Sequence, residues 1–210
     1  MTVHDNGRLG PIEWANAGRP LTGEPISGDQ KIAIPIDDGA ALFGVIDGLG
    51  HGPAAASAAM RTVDALQRAA DERLEVLVQL CHRVLGGTRG VAMSLARVDF
   101  AARTLTWTGV GNVSAHLVSK DATGVHIRSS ARLAAGIVGY RIPEIRPAQV
   151  VPLRGGDLIV IASDGITEDH LEHIDFAASA TVIAEQILAK HAKETDDAMV
   201  LAARHRGVSI

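Results

Sequence analysis

Apolar residues along this chain fall into short runs separated by polar, glycine-bearing punctuation, the rhythm of a molecule rich in strands. Ile12 to Ala17 alternates loosely and opens a sheet. Lys31 to Ile36 and Ala41 to Ile46 flank Asp37-Asp38-Gly39, a hairpin signal. Gly90 to Phe100, Arg103 to Thr108 and Val113 to Val118 read as consecutive antiparallel strands. Across the turn Asp121 to Gly124 follows a shorter one, Val125 to Arg128. Val150 to Leu153 and Leu158 to Ala162 form strands around the Arg154-Gly155-Gly156-Asp157 turn, and Ala198 to Ala203 is the last strand. The stretch 133–143, LAAGIVGYRIP, reads as a loop. Three segments switch to helical spacing. His51 to Ala70 brings Ala56, Met60, Val63 and Leu66 near one face, with Pro53 in the first turn, where its missing N–H costs nothing. Leu74 to Leu85 aligns Leu74, Leu77, Val78, Cys81, Val84 and Leu85 and stops at Gly86-Gly87. Ala177 to His191 is the third. Many antiparallel strands with two early helices and one late helix predict an α+β layered architecture, a two-sheet sandwich flanked by helices.

Composition adjusts this picture at a few points. Hydrophobic residues make up 47% of 210, enough for a sizeable core, but aromatics are only 3%, so Val, Ile, Leu and Ala must build it. The formal net charge of −4 argues against a nucleic-acid or anionic-membrane surface. Cys81 is alone, which rules out a disulfide within the chain, and its apolar helical setting reads as a buried structural thiol. MTVHDNGRLGP lacks an apolar signal core, and no run reaches the length of a membrane span, so a cytoplasmic protein is expected. Without repeats, low-complexity segments or a credible linker, residues 1–210 are expected to form one domain.

The candidate chemistry centres on Ala41 to Gly52, ALFGVIDGLGHG. An apolar run delivers Asp47 into a glycine-rich turn that holds neither Lys nor Arg. A carboxylate at the mouth of a buried strand is costly unless something positive meets it, and glycines at 48, 50 and 52 let backbone carbonyls approach a ligand closely. A metal ion fits, although Asp-Gly after a strand is also a common turn. The arrangement recurs, which strengthens the metal reading. DLIVIASDG ends a second run at Asp164, Asp196-Asp197 precede a third, and Ser27-Gly28-Asp29 precede a fourth. If these strands lay side by side in alternating directions, their acids would converge on one edge. Oxygen ligands without a His or Cys cluster suit magnesium or manganese.

SGD at 27–29, DGLGHG at 47–52, SDG at 163–165 and DD at 196–197 together resemble, in order, the metal-binding motifs of the metal-dependent Ser/Thr protein phosphatases. The GHG ending before an alanine-rich helix, and Gly109-Val110-Gly111-Asn112-Val113, resemble the bacterial SpoIIE-type branch. The compact length is most similar to the free-standing feedback phosphatases of the stressosome. This resemblance implies an αββα sandwich of two mainly antiparallel sheets, with two divalent cations, Mn2+ or Mg2+, at one end between the sheets. It implies Asp47 bridging both ions, joined on one by the Gly48 carbonyl and by Asp29, largely through water, while Asp164 and Asp196 hold the other. Asp47 and Asp29 are then the catalytic carboxylates, and a water between the ions attacks phosphorus. The implied partners are phosphorylated Ser/Thr regulatory (STAS-type) proteins of the stressosome. Neither nucleic acid nor membrane is implied, and the oligomeric state stays open, a monomer being compatible.

Other residues carry two readings each. Asp196 is taken as the ligand with Asp197 orienting it, and both also read as the plain start of a strand. His51 suits a general acid or a structural residue at the helix start, and Leu49 stands where the wider family can carry a His. Glu168 reads as decoration of a helix N-terminus or as an acid behind Asp164. Arg19, ten residues before Asp29, is the nearest counterpart of the family's phosphate-binding arginine and equally an exposed loop residue. Tyr140 and Arg141 could touch a protein substrate. Besides a phosphoprotein phosphatase, the sequence accommodates a phosphoprotein-binding pseudophosphatase and a small-phosphoester hydrolase.

Overall fold

The computed structural model describes residues 2–172 and 174–207. Two sheets stack face to face. One has the strand order β1 (Val3–Leu9), β2 (Ile12–Arg19), β12 (Ala198–His205), β11 (Leu158–Ala162), β7 (Ser114–Asp121) and β8 (Gly124–Ser130). The other runs β10 (Gln149–Pro152), β6 (Thr104–Val110), β5 (Val91–Asp99), β4 (Ala40–Gly48) and β3 (Asp29–Ile36), with β9 (Leu133–Ala134) beside β6. All ladders are antiparallel except β6 with β9. Helices α1 (Gly52–Arg68) and α2 (Leu74–Val84) cover the second sheet, and α3 (Ala180–His191) covers the first. This is the expected αββα sandwich.

The period of two explains why the strands read as continuous apolar runs. In β4, Phe43 and Val45 join the layer between the sheets with Trp107, Ile159, Ile161 and Leu201. Leu42 and Ile46, on the opposite face, pack under α1 and α2 with Leu66, Leu77, Val78 and Cys81. In β11, Ile159 and Ile161 face the other sheet while Leu158 and Val160 meet Ile183 and Ile187 of α3. Strands covered on both sides have no polar face to show. Cys81 is fully buried, as expected, and burial pushes its thiol up to about 12.

Several expectations need correction. β1 was not expected: its run VHDNGRL is polar and mostly exposed, so hydrophobic patterning does not mark an edge strand held by main-chain bonds to β2. β10 and β11 do not pair across their turn; each joins a different sheet. The 133–143 stretch is a loop only in part, since β9 and the Val91–Val138 bridge tie it to the second sheet. α1 buries Ala55, Ala59, Thr62 and Leu66, and Met60 is 46% exposed; small residues let that face seat closely on the sheet. Val84 is likewise exposed, at 40%. α3 starts at Ala180, where Ser179 caps it through a 3.2 Å bond from Val182 N.

Candidate metal centre

The acids come from both sheets. β3 and β4 pair so that Asp29 stands opposite Asp47 at the sandwich's end. β11 and β12 are neighbours in the other sheet, and their paired ends bring Asp164 and the Asp196-Asp197 pair to the same place. The expectation that all four strands lie side by side is therefore wrong in detail. Two hairpin-like pairs face each other, and the carboxylates meet across the gap.

Close backbone approach fixes these ends, which is why glycines follow the acids. A Cβ on Gly48 would lie 2.2 Å from the Ala55 carbonyl oxygen, and one on Gly165 would lie 1.8 Å from that of Asp197. Neither glycine can carry a side chain without moving an element. Gly48 N donates to Gly28 O at 3.1 Å, binding the SGD segment to the DGLGHG turn. Ser163 locks the two sheets together: its Oγ donates to Asp29 Oδ2 at 2.7 Å and accepts from Met199 N at 2.9 Å.

Each carboxylate has distinct surroundings. Asp29 is 2% exposed, and burial, followed by the charges of Asp197, Asp164 and Asp196, holds its carboxyl well above the usual range despite the Ser163 bond. Asp47, half-buried, is raised for the same reason, burial first and the Asp29 charge next. Asp196 is raised by burial as well. Asp164 Oδ2 accepts from Asn112 Nδ2 at 2.5 Å, and its main-chain oxygen accepts from Lys193 Nζ at 2.6 Å. Asp197 is engaged on both oxygens: Oδ1 accepts from Leu21 N at 2.7 Å and Oδ2 from Gly28 N at 2.8 Å. It clamps the 21–28 loop, whereas among the described residues the Asp196 side chain hydrogen-bonds only Asp197 N, at 2.9 Å.

These donors fit a hard cation. They are carboxylates, and His51, in the turn beyond Asp47, directs its Nδ1 to Glu24 Oε1 at 2.7 Å. Groups that repel one another and resist ionising when alone are stabilised as anions by a divalent ion between them. Among the described residues no three His, Cys, Asp or Glu side chains close on a single point.

Sequence reasoning missed Asn112, Ser163 and Lys193 as supports, although the first lies in the Gly109–Val113 segment and the second in Ser163-Asp164-Gly165. Two other residues do less than their positions suggest. Arg19 donates to Pro20 O at 3.2 Å and to Lys193 O, so its guanidinium is spent on carbonyls. Glu168 is exposed in a turn with no helix beginning there.

The profile of the stage II sporulation protein E (SpoIIE) family matches residues 37–207. A curated relative, the phosphoserine phosphatase RsbX of Bacillus subtilis (strain 168), is 31% identical over 91 residues. That match spans 43% of this chain and 45% of RsbX, so the chain aligns with less than half the length of this curated relative. Among solved structures, a chain from a study of the bacterial stressosome is 31% identical, covering 92% of this chain and 99% of that one with a TM-score of 0.81. RsbX in complex with magnesium shares the fold at 21% identity, covering 97% and 98% with a TM-score of 0.78.

Proposed function

This chain belongs to the SpoIIE family, and from that premise we propose that it is a metal-dependent protein phosphatase acting on phosphorylated Ser or Thr. In this reading residues 1–210 serve as one phosphatase domain, and the substrates are phosphorylated STAS-type regulators of a stressosome, whose signal the enzyme resets. The similarity to RsbX, a phosphoserine phosphatase, and to a chain from the bacterial stressosome supports this reading. The observation that carries it is the convergence of Asp29, Asp47, Asp164 and Asp196 from four strand ends, the first two driven toward protonation by burial and mutual charge.

Asp29, Asp47, the Gly48 carbonyl, Asp164 and Asp196 would hold two divalent cations, Mg2+ or Mn2+. Bound there, such ions neutralise phosphoryl oxygens and acidify water. The chain's own residues do the positioning. Ser163 fixes the Asp29 carboxylate through Oδ2, leaving its second oxygen free of side-chain partners among the described residues. Asn112 and Lys193 hold Asp164 from its side chain and its backbone. Asp197 secures the loop that leads into Asp29. His51, paired with Glu24, serves the helix start, so leaving-group protonation does not depend on it.

The test is hydrolysis of a phosphoserine STAS-type domain with Mn2+, with EDTA, and by Asp47→Asn. Turnover that needs Mn2+ and drops at least about a thousandfold in the variant is expected. Metal-dependent binding of the phosphodomain without turnover would instead make the protein a pseudophosphatase.

A further inference from the structure

A centre built from four carboxylates and two divalent cations is close to neutral, yet a phosphomonoester arrives with nearly two negative charges. A phosphate site there gains from one more cation, and the cations beside the acids differ in whether they are free. Arg19 is bound to the carbonyls of Pro20 and Lys193, and Lys193 Nζ is bound to the Asp164 carbonyl. Arg89 is exposed and, among the described residues, makes neither a side-chain hydrogen bond nor an ion pair.

The fold brings Arg89 to the turn that carries Asp47. β4 and β5 pair Asp47 with Ala92 and Gly48 with Val91, and the ladder continues one step as Leu49 N donates to Gly90 O at 3.1 Å. The next step sets Arg89 against Gly50, where a Cβ would stand 2.9 Å from Arg89 Nη1. Glycine at 50, with φ of +79°, thus leaves room for the guanidinium over the turn. The backbone behind it is firm, because Val91 and Val138 exchange two 2.9 Å bonds and Thr88 Oγ1 accepts from Gly90 N.

We propose that Arg89 is the phosphoryl-binding residue of this centre, its guanidinium taking two oxygens of the substrate phosphate from the Gly50 side of the turn. This rests on the phosphatase reading above. Guanidinium is suited to the task because its fork of N–H donors matches phosphate oxygens in pairs, which an ammonium cannot do.

The test compares wild type, Arg89→Ala and Arg89→Lys by calorimetric titration of inorganic phosphate at saturating Mg2+, with a Mg2+ titration and phosphoserine-peptide kinetics alongside. Arg89→Ala should weaken phosphate binding and raise the peptide KM about tenfold, with Mg2+ affinity unchanged and Arg89→Lys in between. Equal phosphate affinity in wild type and Arg89→Ala overturns the proposal, and if Arg89→Ala still hydrolyses the peptide the phosphatase reading survives alone. Conversely, loss of phosphate binding in Arg89→Ala of a protein that hydrolyses nothing supports the Arg89 assignment and removes the phosphatase reading.

Discussion

Neighbouring aspartates 196 and 197 have the same chemistry and different surroundings, because Asp197 has both carboxylate oxygens occupied and Asp196 has one, by the Asp197 N–H. Asp197 answers two main-chain N–H groups, that of half-buried Leu21 and that of buried Gly28. Asp197→Ala should therefore cost roughly 2–4 kcal/mol in stability even with EDTA present. Asp196→Ala, which removes one acceptor instead of two, should cost the EDTA-treated protein less stability than Asp197→Ala and lower its metal affinity. Urea melts and a Mn2+ titration of both variants separate the two roles, and a reversed pattern would exchange the assignments. Asn112 acts one step back, by orienting Asp164. Outer partners of this kind typically matter 10–100-fold, so Asn112→Ala should weaken Mn2+ binding within about that range.

At the scale of elements, the centre depends on strand pairs whose ends cannot separate. Gly48 against Ala55 and Gly165 against Asp197 are approaches that only glycine permits. Gly165→Ala must push β11 from β12, and we expect an unfolded or strongly destabilised protein by circular dichroism. A second clamp sits at the opposite end of β11. Asp157, 3% exposed, accepts from Arg128, from Ser119 Oγ at 2.5 Å and from Arg154 N at 2.8 Å, fixing the β10–β11 turn against β8. Asp157→Ala leaves those donors unanswered and should cost about 3 kcal/mol by urea denaturation. Below its lowered melting temperature, the metal affinity of that variant should stay near wild type.

For the whole molecule, the sandwich's end sets a pH dependence that the metal should reverse. The folded, metal-free state holds Asp29 and Asp47 protonated at pH values where the unfolded chain has released those protons. That stabilising contribution is complete below the ordinary Asp value of about 4 and is lost as pH rises through the raised folded values. With EDTA, the melting temperature should fall from the mildly acidic range toward alkaline pH. With saturating Mg2+ the slope should flatten or invert, because the ion binds the folded anion, and an excess of about a hundredfold over Kd adds about 2.7 kcal/mol. A melting temperature indifferent to both pH and Mg2+ would argue against a cation at this end. No helix among the described residues is long and apolar enough to cross a membrane.

Read alone, the sequence determined the layered architecture, because β4, β11 and β12 are apolar on both faces and α2 repeats at helical spacing. It also singled out Asp29, Asp47, Asp164 and the Asp196-Asp197 pair, since an acid at either end of an apolar run stands out locally. Only the tertiary structure decided which sheet each strand enters, because pairing partners lie far apart in the chain and β10 and β11 differ in sheet though adjacent in sequence. It alone separated Asp196 from Asp197 and Arg19 from Arg89. What distinguishes those residues is which donors and acceptors stand opposite them, and those come from elements distant in sequence.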